Sequence, residues 1–291
     1  MTGRTLGLSG LRSFPRVPAG VRKSAKSALA ACPCLFNAPD MCKTGFYLVT
    51  LLLAWGLGQG TLRADVTLLS DIPGAETPYI SGDETEVEKA FSPASTFKMI
   101  IALTAFEQKI ATPETELTCQ DAHLSPKPQV LKFQKAMQDS SNDFFRQLVD
   151  KLTDEQLIEM AKRCEFGTIP AVAPKDRKDW THGGGIRVTP LQEHRFLRKL
   201  IRGKLPVSVE SQKQLMAVMA WPAVEAGVNV YGKTGSYEKT YWFSGLAVKA
   251  GGAVRVITVT LTAEDANRSR AIQRFYDQIK RVLPAPTANP Q

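Results

Sequence analysis

"FSPASTFKMI", Phe91 to Ile100, sets Ser95 three residues ahead of Lys98, and the apolar run continues through "IALTAFEQ". Residues 96–108 therefore read as a helix that is apolar nearly all round and buried. A lysine at the mouth of such a helix is costly unless chemistry uses it. On a helix, residues three apart share a face. A serine hydroxyl is a weak nucleophile that needs an adjacent base, and a lysine freed of its proton by burial can be that base. Backbone N–H groups at the helix start suit a developing oxyanion.

Alone, the Ser-x-x-Lys spacing is weak, because Ser236 to Lys239 repeats it. That second pair falls in strand-like sequence, where residues three apart point to opposite faces. The order of three motifs is more specific. Ser140-Ser141-Asn142 follows Ser95 by 45 residues in helical surroundings, and Lys233-Thr234-Gly235 follows 93 residues later on a strand.

The flanking sequence supplies the frame. Residues 131–163 and 189–219 are helical in pattern, whereas 111–130 and 165–185 are rich in Pro and Gly and read as loops. "VNVYGKT", "YWFSGLAVKA" and "AVRVITVTLT" are strand-like, and Gly251-Gly252 separates the last two as a hairpin turn. A closing helix is expected over about 267–283, with Ile272, Phe275, Ile279 and Val282 on one face. The class is α+β, an antiparallel sheet flanked by helices plus a mostly helical lobe.

Of the chain's formal +9, residues 1–64 supply +7, from eight Lys+Arg against one acidic residue, so the remainder is nearly neutral. It shows no basic stripe interleaved with aromatics, and nucleic acid is not an expected partner. Residues 41–64 have a basic start, the apolar run Phe46 to Gly58 and small residues, the plan of a secretory signal peptide. Cleavage is expected after Ala64 or after Gly60, leaving no stable membrane span and a secreted or periplasmic product. Residues 1–40 form an upstream extension, either ahead of a true start at Met41 or a transit peptide. Residues 65–291 form a single catalytic domain. Cys119 and Cys164 could pair in an exported protein or remain two buried thiols. His123, His182 and His194 lack metal-ligand spacing, so no metal is expected.

The three motifs resemble those of the penicillin-recognising serine enzymes, whose Ser-x-x-Lys, Ser-x-Asn and Lys-Thr-Gly elements converge on one site. The finer resemblance is to class D β-lactamases. It rests on "FSPASTFK", on "DWTHGGGIRVTPLQ" with "FLRKLIRGKLPVS", and on "YGKTGSY" with "YWFSGLAV", and covers about residues 88–283. It implies a β-lactamase/transpeptidase-like fold and hydrolysis of the β-lactam amide through an acyl-enzyme on Ser95. Lys98 would be the general base, carrying a carbamate made from CO₂, with no other cofactor. Trp180 would hold the carbamate. Ser140 would relay a proton to the leaving nitrogen. Lys233 would supply positive potential and Thr234, beside Gly235, would contact the substrate carboxylate. The N–H groups of Ser95 and Ser236 would form the oxyanion hole. Either Arg268 or Arg270 would bind the carboxylate. The small-molecule partner would be a β-lactam; the oligomeric state is open.

Two departures oppose fast turnover. Asn142 stands where class D enzymes carry an apolar residue, and Phe166-Gly167-Thr168 replaces their Tyr-Gly-Asn element. At Ser-x-Asn, with Phe144-Phe145 following, the chain resembles the penicillin-sensor domains of β-lactam receptors. A slowly deacylating binder or a D,D-peptidase is the alternative.

Overall fold

The computed structural model describes residues 64–223 and 226–280; the upstream extension, and the signal segment apart from Ala64, lie outside them. Strands β1 (Val66–Ile72), β2 (Tyr79–Gly82), β5 (Ala220–Trp221), β6 (Val228–Tyr237), β7 (Thr240–Lys249) and β8 (Val254–Leu261) form one sheet. It is antiparallel throughout, in the order β2-β1-β8-β7-β6-β5.

Both faces of this sheet are covered, which is why its central strands read as nearly continuous apolar runs. Successive residues of a strand point to opposite faces. On β7, Trp242 and Leu246 pack into the helical lobe, whereas Phe243 and Ala247 pack against the closing helix α7 (Arg268–Ile279). There Phe243 and Phe275 lie 4.1 Å apart between ring centroids. Ile272 and Ile279 lie on this side as expected, and Val282 lies outside the described residues.

The helical lobe surrounds α1 (Lys98–Glu107), which is buried from Lys98 through Phe106. Around it lie α2 (Phe133–Asp139), α3 (Asn142–Val149), α4 (Asp154–Arg163), α5 (Pro190–Ile201) and α6 (Val209–Val218). Thr153 and Thr189 start α4 and α5 with reciprocal bonds to Gln156 and Gln192, which satisfy N–H groups the helices cannot.

The expectation of a loop over 111–130 is corrected. Glu116–Cys119 (β3) and Gln129–Lys132 (β4) pair as a two-stranded antiparallel sheet. Each has four residues with one buried side chain, Cys119 or Leu131, too little alternation to stand out from the flanking prolines. Cys119 and Cys164 are unpaired buried thiols, pushed up to about 11 and about 12 by burial. That protonation makes them poor nucleophiles. No described helix is long and apolar enough to cross a membrane.

Candidate active site

A short 3-10 turn, Ala94–Phe97, leads into α1 and carries Ser95 at its second position. Ala94 has φ of 51°, the left-handed region that costs a non-glycine residue about 1 kcal/mol. The turn is held against β6. A Cβ on Gly235 would sit 2.8 Å from the Pro93 carbonyl oxygen and 3.1 Å from Thr96 Cγ2, so the last residue of Lys-Thr-Gly must lack a side chain.

Behind the turn, Lys98 is wholly buried. Its Nζ donates to Ser140 O at 2.7 Å, to Asn142 Oδ1 at 2.7 Å, and lies 3.2 Å from Ser140 Oγ. The Phe145 ring centroid lies 5.5 Å away. Desolvation by this pocket lowers the Lys98 pKa from 10.5 to about 7; Asp121 opposes the shift and Arg268 adds to it. Lys233 is also wholly buried and is held well below the usual lysine range by burial, then by Lys98 and Arg268. Lys233 Nζ donates to Ser140 Oγ at 2.9 Å and to Thr234 O at 2.8 Å. The Ser140 hydroxyl thus bridges the two buried amines.

That bridge depends on local backbone. Ser140 ends α2 in the left-handed conformation, φ 61°, and so turns both its carbonyl and its hydroxyl to Lys98. Asp121 fixes the next residues: its carboxylate accepts from the N–H groups of Asn142 and Asp143, each at 2.9 Å, and from the Ser141 hydroxyl. Asp121 follows β3, so the strand pair missed in the sequence positions this anchor.

Ser95, Ser140, Thr234, Ser236 and Arg268 share the wall of one cleft of about 220 Å³ with Asn142, His123 and His182. The two candidate arginines stand in different places. Arg268 Nε donates to Thr234 Oγ1 at 3.2 Å and lines the cleft, whereas Arg270 pairs with Asp265. Arg268 places a guanidinium on this wall, and Asp139 places a carboxylate there.

Trp180 is wholly buried and stacks on Phe97 at 5.7 Å, and its indole N–H donates to Asp154 Oδ1 at 2.9 Å. The short contacts of the Lys98 amine are to Ser140 O and Asn142 Oδ1.

Sequence reading missed Glu193. It lies wholly buried on α5 and contacts the hydroxyls of Thr96 and Ser244. Thr96 has one hydroxyl proton, yet both Pro93 O, at 2.7 Å, and Glu193 Oε1 are within its reach. Both bonds form only if Glu193 is protonated and donates to Thr96. In agreement, burial raises the Glu193 pKa to about 7. An isolated Glu in an otherwise amphipathic helix carries no signal of burial. His182, lowered by burial and then by Lys98, was also unassigned. Among the described residues no cluster of three or more His, Cys, Asp or Glu could hold a metal ion.

The model of the penicillin binding protein transpeptidase domain matches residues 76–280. β-Lactamase OXA-2 of Salmonella typhimurium is 24% identical over 231 residues, 76% of this chain and 82% of that protein. β-Lactamase OXA-9 of Klebsiella pneumoniae is 24% identical over 181 residues, 58% and 65% of the two chains. Among solved structures, the class D β-lactamase YbXI from Nostoc superposes with a TM-score of 0.64 at 22% identity, covering 74% of this chain and 91% of that one. FUS-1, a class D β-lactamase from Fusobacterium nucleatum subsp. polymorphum, gives 0.63 at 16% identity, covering 82% and 99%. These likenesses carry the fold, an antiparallel sheet flanked by helices. Matched over most of its length by that domain, and folded as these enzymes are, the chain belongs to the penicillin binding protein transpeptidase family.

Proposed function

We propose that this protein opens β-lactams by acyl transfer to Ser95. The observation that carries this reading is the Ser140 hydroxyl bridging two buried amines, 3.2 Å from Lys98 Nζ and 2.9 Å from Lys233 Nζ, in the cleft that Ser95 lines. In this reading Lys98, near half-neutral at about pH 7, takes the proton from Ser95 Oγ as that oxygen bonds to the lactam carbonyl carbon. The N–H groups of Ser95 and Ser236 receive the oxyanion. When the ring C–N bond breaks, the nitrogen takes the Ser140 proton, and Lys98 returns its own to Ser140. Thr234 and Arg268 bind the substrate carboxylate. Water then cleaves the ester and releases Ser95. Export through residues 41–64, which have the composition of a signal peptide, belongs to the same proposal.

One contact favours slow release of the acyl group. Asn142 Oδ1 holds Lys98 Nζ at 2.7 Å, which favours the ammonium form over the base needed to activate water. The test is intact mass over time on protein mixed with benzylpenicillin, with and without bicarbonate. A covalent adduct that forms on wild type and not on Ser95→Ala supports the nucleophile. Hydrolysed drug in excess of enzyme supports a β-lactamase; an adduct lasting hours supports a binder. Labelling of Ser95→Ala would overturn the assignment.

A further inference from the structure

Away from the Ser95 cleft, one face of α5 carries Arg195, Arg198 and Lys199, and Arg202, the residue that caps its C-terminus, continues the i, i+3, i+4, i+7 series. With Lys204 just beyond the helix, and Glu76 to Pro78 of the β1–β2 connection opposite, they line a cavity of about 330 Å³. Five cationic side chains thus face one carboxylate.

Arg198 is the unusual member. Its side chain is only 4% exposed. Among the described residues, none of its three guanidinium nitrogens has a hydrogen-bond partner. Its counter-charge is Glu76, 3.4 Å away, beyond the range of a good charged hydrogen bond. Glu76 is 79% exposed; it accepts from Arg202 at 2.7 Å and so straps two guanidiniums. Lys199 is held by Glu165 at 2.8 Å. A guanidinium presents five donors, and leaving them all unmet in a buried position is unfavourable. Its planar fork matches the oxygens of a phosphate group, and flanking arginines complete such a cradle.

We propose that this cavity is a binding site for a phosphate-bearing small anion, of the diphosphate or phosphomonoester class. Arg198 forms its floor, Arg195 and Arg202 its sides, and Glu76 stands in for the ligand until the ligand displaces it. The depth of Arg198 favours a soluble anion over a flat charged surface.

The test is titration calorimetry of the full chain with inorganic pyrophosphate at low salt, with cosedimentation on phosphatidylglycerol vesicles as a second arm. Wild type should bind pyrophosphate one to one, and Arg198→Met should bind at least tenfold more weakly. Glu76→Gln, which removes the competing carboxylate, should bind several-fold more tightly. Acylation of each variant by benzylpenicillin reports whether it is folded. Arg198-dependent sedimentation would identify the phosphate as a lipid headgroup's; pyrophosphate binding without sedimentation would identify a soluble ligand. No binding of pyrophosphate by either wild type or Glu76→Gln would overturn the proposal, as would equal binding by Arg198→Met.

Discussion

Asn142 Oδ1 accepts a hydrogen bond from Lys98 Nζ at 2.7 Å. The two residues are 44 positions apart, and the bond occupies the buried amine that Ser95 needs in the proposed mechanism. Replacing Asn142 with valine, similar in width and unable to accept, should free Lys98. The acyl adduct of Asn142→Val with benzylpenicillin should decay at least tenfold faster than wild type, and faster still with bicarbonate. Intact mass against time measures both; an unchanged lifetime would mean that Asn142 does not govern deacylation.

Acylation should follow the titration of Lys98. Burial lowers its pKa to about 7, and only the neutral amine can take a proton from Ser95. The acylation rate should therefore rise with pH through about 7 and level off above it. Asp121 favours the charged amine, so Asp121→Asn should move that rise to lower pH. It should also weaken the anchoring of Ser141 and Asn142, at a cost of about 1–3 kcal/mol in chemical denaturation. A wild-type limb near the ordinary lysine value would refute a depressed Lys98.

Arg268 and Arg270 are two residues apart and should differ sharply. Arg268 lines the cleft beside Thr234, whereas Arg270 is engaged with Asp265. Arg268→Ala should reduce acylation efficiency by about 10- to 100-fold, the loss of one charge-assisted contact of about 1.5–3 kcal/mol. Arg270→Ala should change it less than threefold. Stopped-flow acylation with a chromogenic cephalosporin compares them, and equal losses would remove the distinction.

Stability should show a plateau in mildly acidic solution. The Glu193 pKa rises from 4.5 to about 7 on folding, so its contribution is full below pH 4.5 and is lost as pH rises through about 7. His194, wholly buried between Ser70 and Thr258, falls from 6.5 to about 3, so its contribution is full above pH 6.5 and is lost as pH falls towards 3. The two losses offset each other between about pH 4.5 and 6.5. Glu193→Gln should remove the alkaline loss and gain about 3 kcal/mol over wild type at pH 8, with little difference at pH 5. Urea denaturation at the two pH values checks this, and equal gains at both would rule out titration of Glu193 as the cause.

Much of the frame was legible because it rests on local pattern. The all-round apolar run after Ser95 reads as a buried helix, and the β-rich runs around Gly251-Gly252 read as strands joined by a hairpin turn. The polar neighbour of Lys98 could be named as well, because Ser140-Ser141-Asn142 stands in a recognisable order with the other two motifs. The pair β3 and β4 was not legible, since four-residue strands with one buried side chain each leave no periodicity to read.

What the amino-acid order determined by itself, then, was the helices, the main strands and the residues that carry the three motifs, because helix and strand periods are properties of neighbours in the chain. Only the tertiary structure decided where single polar groups spend their hydrogen bonds. It gave the Trp180 N–H to Asp154, put Arg268 beside Thr234 on the cleft wall and Arg270 beside Asp265, buried Glu193 beneath Thr96, and left the Arg198 guanidinium without a hydrogen-bond partner among the described residues. Each of these pairings joins residues distant in sequence, or depends on which way one side chain turns. A donor has few protons to give, and which acceptor receives them depends on packing that no local pattern encodes.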